Sequence, residues 1–184
     1  VIQSSLAWED PKSNRNYFEA KINGIASAVD IIVLPEMFTS GFTINPQVVA
    51  ETMQGETILW LKDVAKTKNC AITGSLVIEE NGNYFNRLVF VFPSGEIQTY
   101  DKRHLFTLAG EDKVYTSGKE KLIVNYRGFK ICPLICYDLR FPVWSRNTLR
   151  TGTPDYDVLI YVANWPSVRR DPWMKLLQAR AIEN

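Results

Sequence analysis

The stretch Ile131-Cys132-Pro133-Leu134-Ile135-Cys136-Tyr137-Asp138-Leu139-Arg140-Phe141-Pro142 constrains this chain more than any other. An apolar run ends at a cysteine and turns polar at once, the pattern of a buried strand emptying into a turn and then a helix. Such a junction projects one side chain above the sheet edge, beside backbone N–H groups at the start of the next helix. Those amides suit a thiolate and the negative oxygen of a tetrahedral intermediate. Free cysteines are more often small core residues, and a thiol reacts only in a suitable environment. Taken alone, the stretch leaves Cys136 open between nucleophile and core.

The rest of the chain supplies a mixed α/β frame. Val1 to Trp8 reads as a strand. Asp10-Pro11 resembles a helix start with proline at its first position, and an apolar stripe through Ala20, Ile22, Ile25, Ala26 and Val29 gives a helix over 12–28. Asp30 to Pro35 follows as a strand buried on both faces, so strand, helix, strand implies a parallel crossover. Glu56 to Lys68 is a second helix. Strands over 70–78 and 84–92 flank a tight turn at Asn81-Gly82, and a third over 96–101 follows Pro93-Ser94-Gly95. That meander makes the sheet mixed. A second hairpin, 121–126 and 129–135, turns at Arg127-Gly128 and delivers Cys136. Beyond it a helix is expected over 143–150, a buried strand over 156–162 and a last helix starting at Asp171-Pro172.

Charged residues stand at the ends of these strands. Glu36 leaves a buried parallel strand where open α/β sheets place their ligands, although a solvated strand-end carboxylate is the commoner fate. Lys102, in Tyr100-Asp101-Lys102-Arg103-His104-Leu105-Phe106, is either half of a surface basic pair or a cation carried inward to favour a thiolate and an oxyanion. Arg103 reads as surface. His104, the only histidine, packs locally beside Leu105 and Phe106. Residues 107–119 read as loop, with Glu111 a second carboxylate candidate. Ala163-Asn164-Trp165-Pro166 is expected to line a substrate site, and Arg169-Arg170-Asp171 to lie in a solvated loop.

Composition excludes several function classes. Lys plus Arg number 21 against 20 for Asp plus Glu, so no net field recruits nucleic acid or an anionic membrane. The apolar runs are too short to span a bilayer. Three cysteines argue for reduced thiols and a cytoplasmic setting. One histidine and scattered cysteines lack metal-ligand spacing, and no glycine loop cradles a nucleotide phosphate. Neither metal nor cofactor is expected. Residues 1–184 read as one domain, trimmed at both ends and more severely at the second.

Three segments resemble the catalytic motifs of the nitrilase superfamily, the carbon–nitrogen hydrolases. They are Pro35-Glu36-Met37-Phe38, Tyr100-Asp101-Lys102-Arg103-His104-Leu105-Phe106 and Cys136-Tyr137-Asp138-Leu139-Arg140-Phe141-Pro142, in the family's order. Ala179-Arg180-Ala181-Ile182-Glu183-Asn184 resembles its later helix. The likeness is strongest to the ω-amidase branch, which acts on 2-oxoglutaramate and related 2-oxo acid amides. It implies a four-layer α-β-β-α sandwich lacking its C-terminal part, with Glu36 as general base, Lys102 as cationic stabiliser and Cys136 as nucleophile. Glu111 would orient Lys102, the Tyr137 N–H would help hold the oxyanion, Arg140 would meet a substrate carboxylate, and Phe42 and Trp165 would wall the pocket. Cys70 and Cys132 are left to the core. The expected reaction converts a small amide and water, through a thioester, to acid and ammonia, in a homodimer or larger homo-oligomer. Alternatives on the same scaffold are a nitrilase, a carbamoylase, another amidase or an inactive binding member.

Overall fold

Alternation along the central strands sets the layering. Along β2 (Ala71–Glu80), Ile72, Leu76 and Ile78 face a helix layer, while Ala71 faces a second sheet. Along β3 (Asn83–Val91), Val89 and Val91 face the helices, and Leu88 and Phe90 face inward. Strands so buried on both sides belong in the middle of a sandwich. This arrangement is seen in a computed structural model that describes residues 1–150 and 152–184.

The first sheet runs β1-β2-β3-β4, with β1 at Ile31–Val33 and β4 at Ile97–Asp101. β1 and β2 are parallel and the rest antiparallel, so the sheet is mixed as expected. Helices α1 (Pro11–Asn23) and α3 (Glu56–Lys68) cover its outer face through Phe18, Ile22, Ile58 and Leu61. Asp10 caps α1 by accepting the Ser13 N–H at 3.0 Å, and α3 ends at left-handed Asn69. A short helix α2 (Pro46–Val49) lies between them in sequence. The β2–β3 turn places both Asn81 and Gly82 at positive φ, as a two-residue hairpin of this twist requires.

The second sheet runs β5-β6-β9, from Val124–Tyr126, Phe129–Ile135 and Val158–Val162. It packs on the first through Ala71, Phe90, Val124, Tyr126 and Ile131. Between β6 and β9 lie α4 (Pro142–Ser145) and a small ladder of β7 (Leu149–Arg150) with β8 (Thr153–Pro154). α5 (Arg170–Glu183) flanks β9, the two lining one surface pocket, which gives the α-β-β-α order expected. Among the described residues no helix is long and apolar enough to cross a membrane.

Several expectations are corrected. Val1 to Trp8 forms no strand. Among its backbone groups, the Ile2 N–H reaches the Val33 carbonyl at 2.9 Å, and the parallel partner found for β1 is β2, across α3. The helix over 12–28 stops at Asn23, because Gly24 follows and the stripe beyond it lies in irregular chain. Residues 143–150 are not a helix: α4 is one turn, and Leu149-Arg150 are taken into a ladder. Residues 107–119 hold two tight 3₁₀ turns, Thr107–Ala109 and Glu111–Lys113.

Candidate active site

Tyr100 faces the inter-sheet core, and Lys102, two residues on, shares that face at the end of β4. Directly across the ladder lies Asn86, whose carbonyl accepts the Lys102 N–H at 3.0 Å. The apolar layer between the sheets therefore ends in a polar cluster.

Glu36 reaches that cluster from the loop after β1. The loop is latched to β2 by three bonds: Leu34 N–H to the Thr73 carbonyl (2.7 Å), Phe38 N–H to the Ser75 carbonyl (2.9 Å) and Met37 N–H to Ser75 Oγ (2.9 Å). Gly74 permits this approach, since a Cβ there would sit 2.8 Å from Leu34 Cβ. Met37 is held at φ 43°, in the left-handed region.

Cys136 ends β6 and opens a 3₁₀ turn, Cys136–Arg140, itself at φ 44°. The first N–H groups of such a turn have no partner inside it. Asp138, fully buried, braces the junction. Its Oδ2 accepts from Ile135 N–H (3.0 Å) and Tyr100 OH (2.7 Å), and its Oδ1 from His104 N–H (3.0 Å), with His104 Nδ1 at 2.8 Å. The His104 ring stacks on Phe141 at 3.7 Å, so the histidine supports the turn from beneath. From α5, Arg180 donates twice to the Leu139 carbonyl, at 3.1 and 2.7 Å.

These elements bring Glu36, Lys102, Glu111 and Cys136 together. Lys102 Nζ lies 2.8 Å from Glu36 Oε1 and 3.0 and 2.9 Å from the two Glu111 oxygens. The Cys136 thiol lies beside Lys102, the two lining one cleft, and the charges of Glu36, Lys102 and Glu111 all act on it. Asn86 donates to Glu36 Oε1 (2.9 Å) and Glu111 Oε1 (3.2 Å). The Asn164 N–H donates to Glu36 Oε2 (2.9 Å), and its side chain to the Glu36 carbonyl (2.6 Å). The Phe106 N–H closes on Glu111 Oε2 at 2.6 Å.

Burial and charge set the protonation states. Burial pulls the Lys102 ammonium down, but the Glu36 and Glu111 carboxylates outweigh it and hold the group charged. Burial pushes the Glu111 carboxyl up, Lys102 opposes this, and Glu36 adds to it. The Cys136 thiol is raised well above its ordinary value, by burial first and then by Glu36, with Lys102 opposing. The resting sulfur is therefore a thiol, which becomes a nucleophile only as a base removes its proton.

Above the cluster is a cleft of about 50 Å³, lined by Phe42, Phe106, Tyr137, Arg140, Trp165 and Arg169 together with Lys102, Cys136 and Asn164. The Arg140 guanidinium lies 5.6 Å from the Trp165 ring, and that of Arg169 lies 5.4 Å from the Phe106 ring. Both arginines are exposed, and among the described residues neither has a carboxylate partner. Phe42 packs 5.4 Å from Lys102 Nζ. Arg169 is solvated, as the sequence suggests, but it also lines the cleft. Asn86 was not singled out by sequence reasoning; Asn164 was met only within the expected lining segment, Phe106 only beside His104 and Arg169 only in the expected solvated loop. Asn86 had one signal, a polar pair with Arg87 inside an otherwise apolar strand.

Arg103 is exposed, and Cys70 and Cys132 are fully buried as expected; burial pushes the Cys132 thiol up to about 12. Among the described residues no group of three His, Cys, Asp or Glu side chains could hold a metal ion.

The carbon-nitrogen hydrolase family model matches residues 1–184. The chain is 44% identical to the omega-amidase YafV of Escherichia coli (strain K12) over 184 residues, 100% of this chain and 69% of that protein. It is 34% identical to the 2-oxoglutaramate amidase of Bacillus subtilis (strain 168) over 186 residues, 100% of this chain and 71% of that one. The crystal structure of XC1258 from Xanthomonas campestris, a CN-hydrolase superfamily protein with an arsenic adduct in its active site, superposes with a TM-score of 0.97. It is 45% identical, and the match covers 100% of this chain and 71% of that one.

Proposed function

Since this chain belongs to the carbon–nitrogen hydrolase family and acts on amides, we propose that its substrate is a small 2-oxo dicarboxylic acid monoamide. The 2-oxoglutaramate type fits, hydrolysed to acid and ammonia through a thioester on Cys136. The observation that carries this reading is the buried contact of Glu36 with the Lys102 ammonium (2.8 Å) at the floor of the cleft that Cys136 lines, where both charges act on the thiol.

Glu36 accepts the thiol proton as Cys136 attacks the amide carbonyl. The carbonyl oxygen becomes an anion against the Lys102 ammonium and the Tyr137 N–H. Glu111 takes two of the Lys102 contacts and holds the ammonium between the carboxylates. Glu36 returns its proton to the departing nitrogen, ammonia leaves, and a thioester remains. Glu36 then takes a proton from water as the water oxygen adds to the thioester; the C–S bond breaks, the acid leaves, and Glu36 returns the proton to the Cys136 sulfur. At the other end Arg140 and Arg169, without carboxylate partners, suit the substrate's carboxylate and neighbouring 2-oxo group, and Phe42 and Trp165 flank its carbon chain.

Residues 1–184 act as one hydrolase domain in this reading, because the floor draws Glu36, Asn86 and Lys102 from one sheet and Cys136 from the other. Homo-oligomerisation belongs to it as well, and mass by light scattering tests that part. The central test is ammonia release from 2-oxoglutaramate beside neutral amides of equal length. Cys136→Ala is expected to abolish it, and unchanged turnover in that variant would overturn the reading.

A further inference from the structure

The steps above leave Asn86 without a part. It is wholly buried on β3, at the point of the ladder opposite Lys102, and it touches three members of the cluster. The orientation of its amide is forced. Flipped, its carbonyl would face two carboxylate oxygens with no donor among them. The cost of the observed orientation is that Asn86 Oδ1 is buried without a partner among the described residues. Such an orphan is destabilising, and what the asparagine gives in exchange is its two bonds to the buried carboxylates.

The donors divide the two oxygens of Glu36. Oε1 accepts from both Lys102 Nζ and Asn86 Nδ2, which occupies its two lone pairs. Oε2 accepts the Asn164 N–H and keeps one lone pair free. We propose that Asn86 is a positioning residue. Its amide pins Oε1 of Glu36 and bridges Glu36 to Glu111, so that proton exchange with Cys136 and with water runs through Oε2 alone. The inference rests on the hydrolytic reading of Glu36.

The titratable groups facing Glu36 are Lys102 from β4, Glu111 from its 3₁₀ turn, Cys136 from β6 and, further off, Tyr115. Without the Asn86 amide, the ionised carboxylates lose a donor while their mutual repulsion remains. The Glu111 carboxyl, already pushed up by burial and by Glu36, should then rise further.

Asn86→Leu and Asn86→Asp test this through pH profiles of amide hydrolysis and of Cys136 alkylation by iodoacetamide, which needs no substrate. In Asn86→Leu, kcat is expected to fall about 100-fold with KM little changed, and the acid limb of kcat/KM to move to higher pH. Asn86→Asp is expected to match it at neutral pH but to recover as the pH falls, because a protonated carboxyl can donate where the amide did. Alkylation should follow the same order. An acid limb that stays in place in both variants, or an aspartate variant no better than leucine at low pH, would overturn the proposal. If the leucine variant does not fold, judged by circular dichroism, the same-shaped aspartate variant decides. Were no amide hydrolysed by the wild type while alkylation kept its Asn86-dependent profile, the amidase reading would fail and the placement of Asn86 would stand.

Discussion

At the floor of the cleft two carboxylates, an ammonium and a thiol are buried together, whereas at its mouth two guanidiniums stand in solvent over aromatic faces. The floor is built by elements from both sheets, and each polar side chain is held by two or more partners. The mouth is built by one 3₁₀ turn and the segment around Trp165, with Arg140 and Arg169 held by ring contacts. The difference separates two tasks. In the proposed reaction, the charges that would exchange protons are kept away from water, where each interaction is strong, and those that would recognise an anion arriving from water stay accessible to it.

Four outcomes would break or sharpen that division. The largest effect should come from Lys102→Met, which leaves two buried carboxylates facing each other. Activity is expected to vanish and stability to fall by about 3–5 kcal/mol, read as a lowered midpoint in urea; an unchanged midpoint would show that the floor is wetter than described. Next, Arg140→Leu and Arg169→Leu should each raise KM for a carboxylate-bearing amide about tenfold. Neither should change kcat for a neutral amide, and equal losses on both substrates would merge floor and mouth into one unit.

Third, the raised thiol predicts how Cys136 alkylation responds to pH. A thiol held well above its ordinary value is still protonated when free thiols have largely ionised, so the rate should climb through pH 9 without a plateau. A plateau near pH 8 would contradict the buried floor. The smallest effect is that of salt. Added salt should weaken binding of the anionic amide and leave the neutral one alone, since only exposed charges are screened.

Much of this was legible in the chain because it lies in short, chemically loaded segments. Phe129–Ile135 and Glu56–Lys68 have the bounds that their apolar patterns and turn signals set. Glu36, Lys102, Glu111 and Cys136 were each singled out from local context, though nothing local says that they meet. Asn86 escaped notice, and Asn164 was noticed only as part of a lining segment, because their importance is wholly relational: each matters through a partner 50 or 128 positions away. The misread strand at the N-terminus and helix at 143–150 share one cause. Composition allowed those elements, but it could not show that Leu149-Arg150 would join the β7–β8 ladder, nor that the N-terminal residues would stay irregular beside β1.

Cys136 sits at φ 44°, a twist that glycine adopts freely and that other residues adopt at a cost of about 1–2 kcal/mol. Replacing the sulfur-bearing residue by glycine would relax the backbone at the position where the proposed reaction needs the sulfur, so backbone ease and the proposed chemistry pull this one residue in opposite directions.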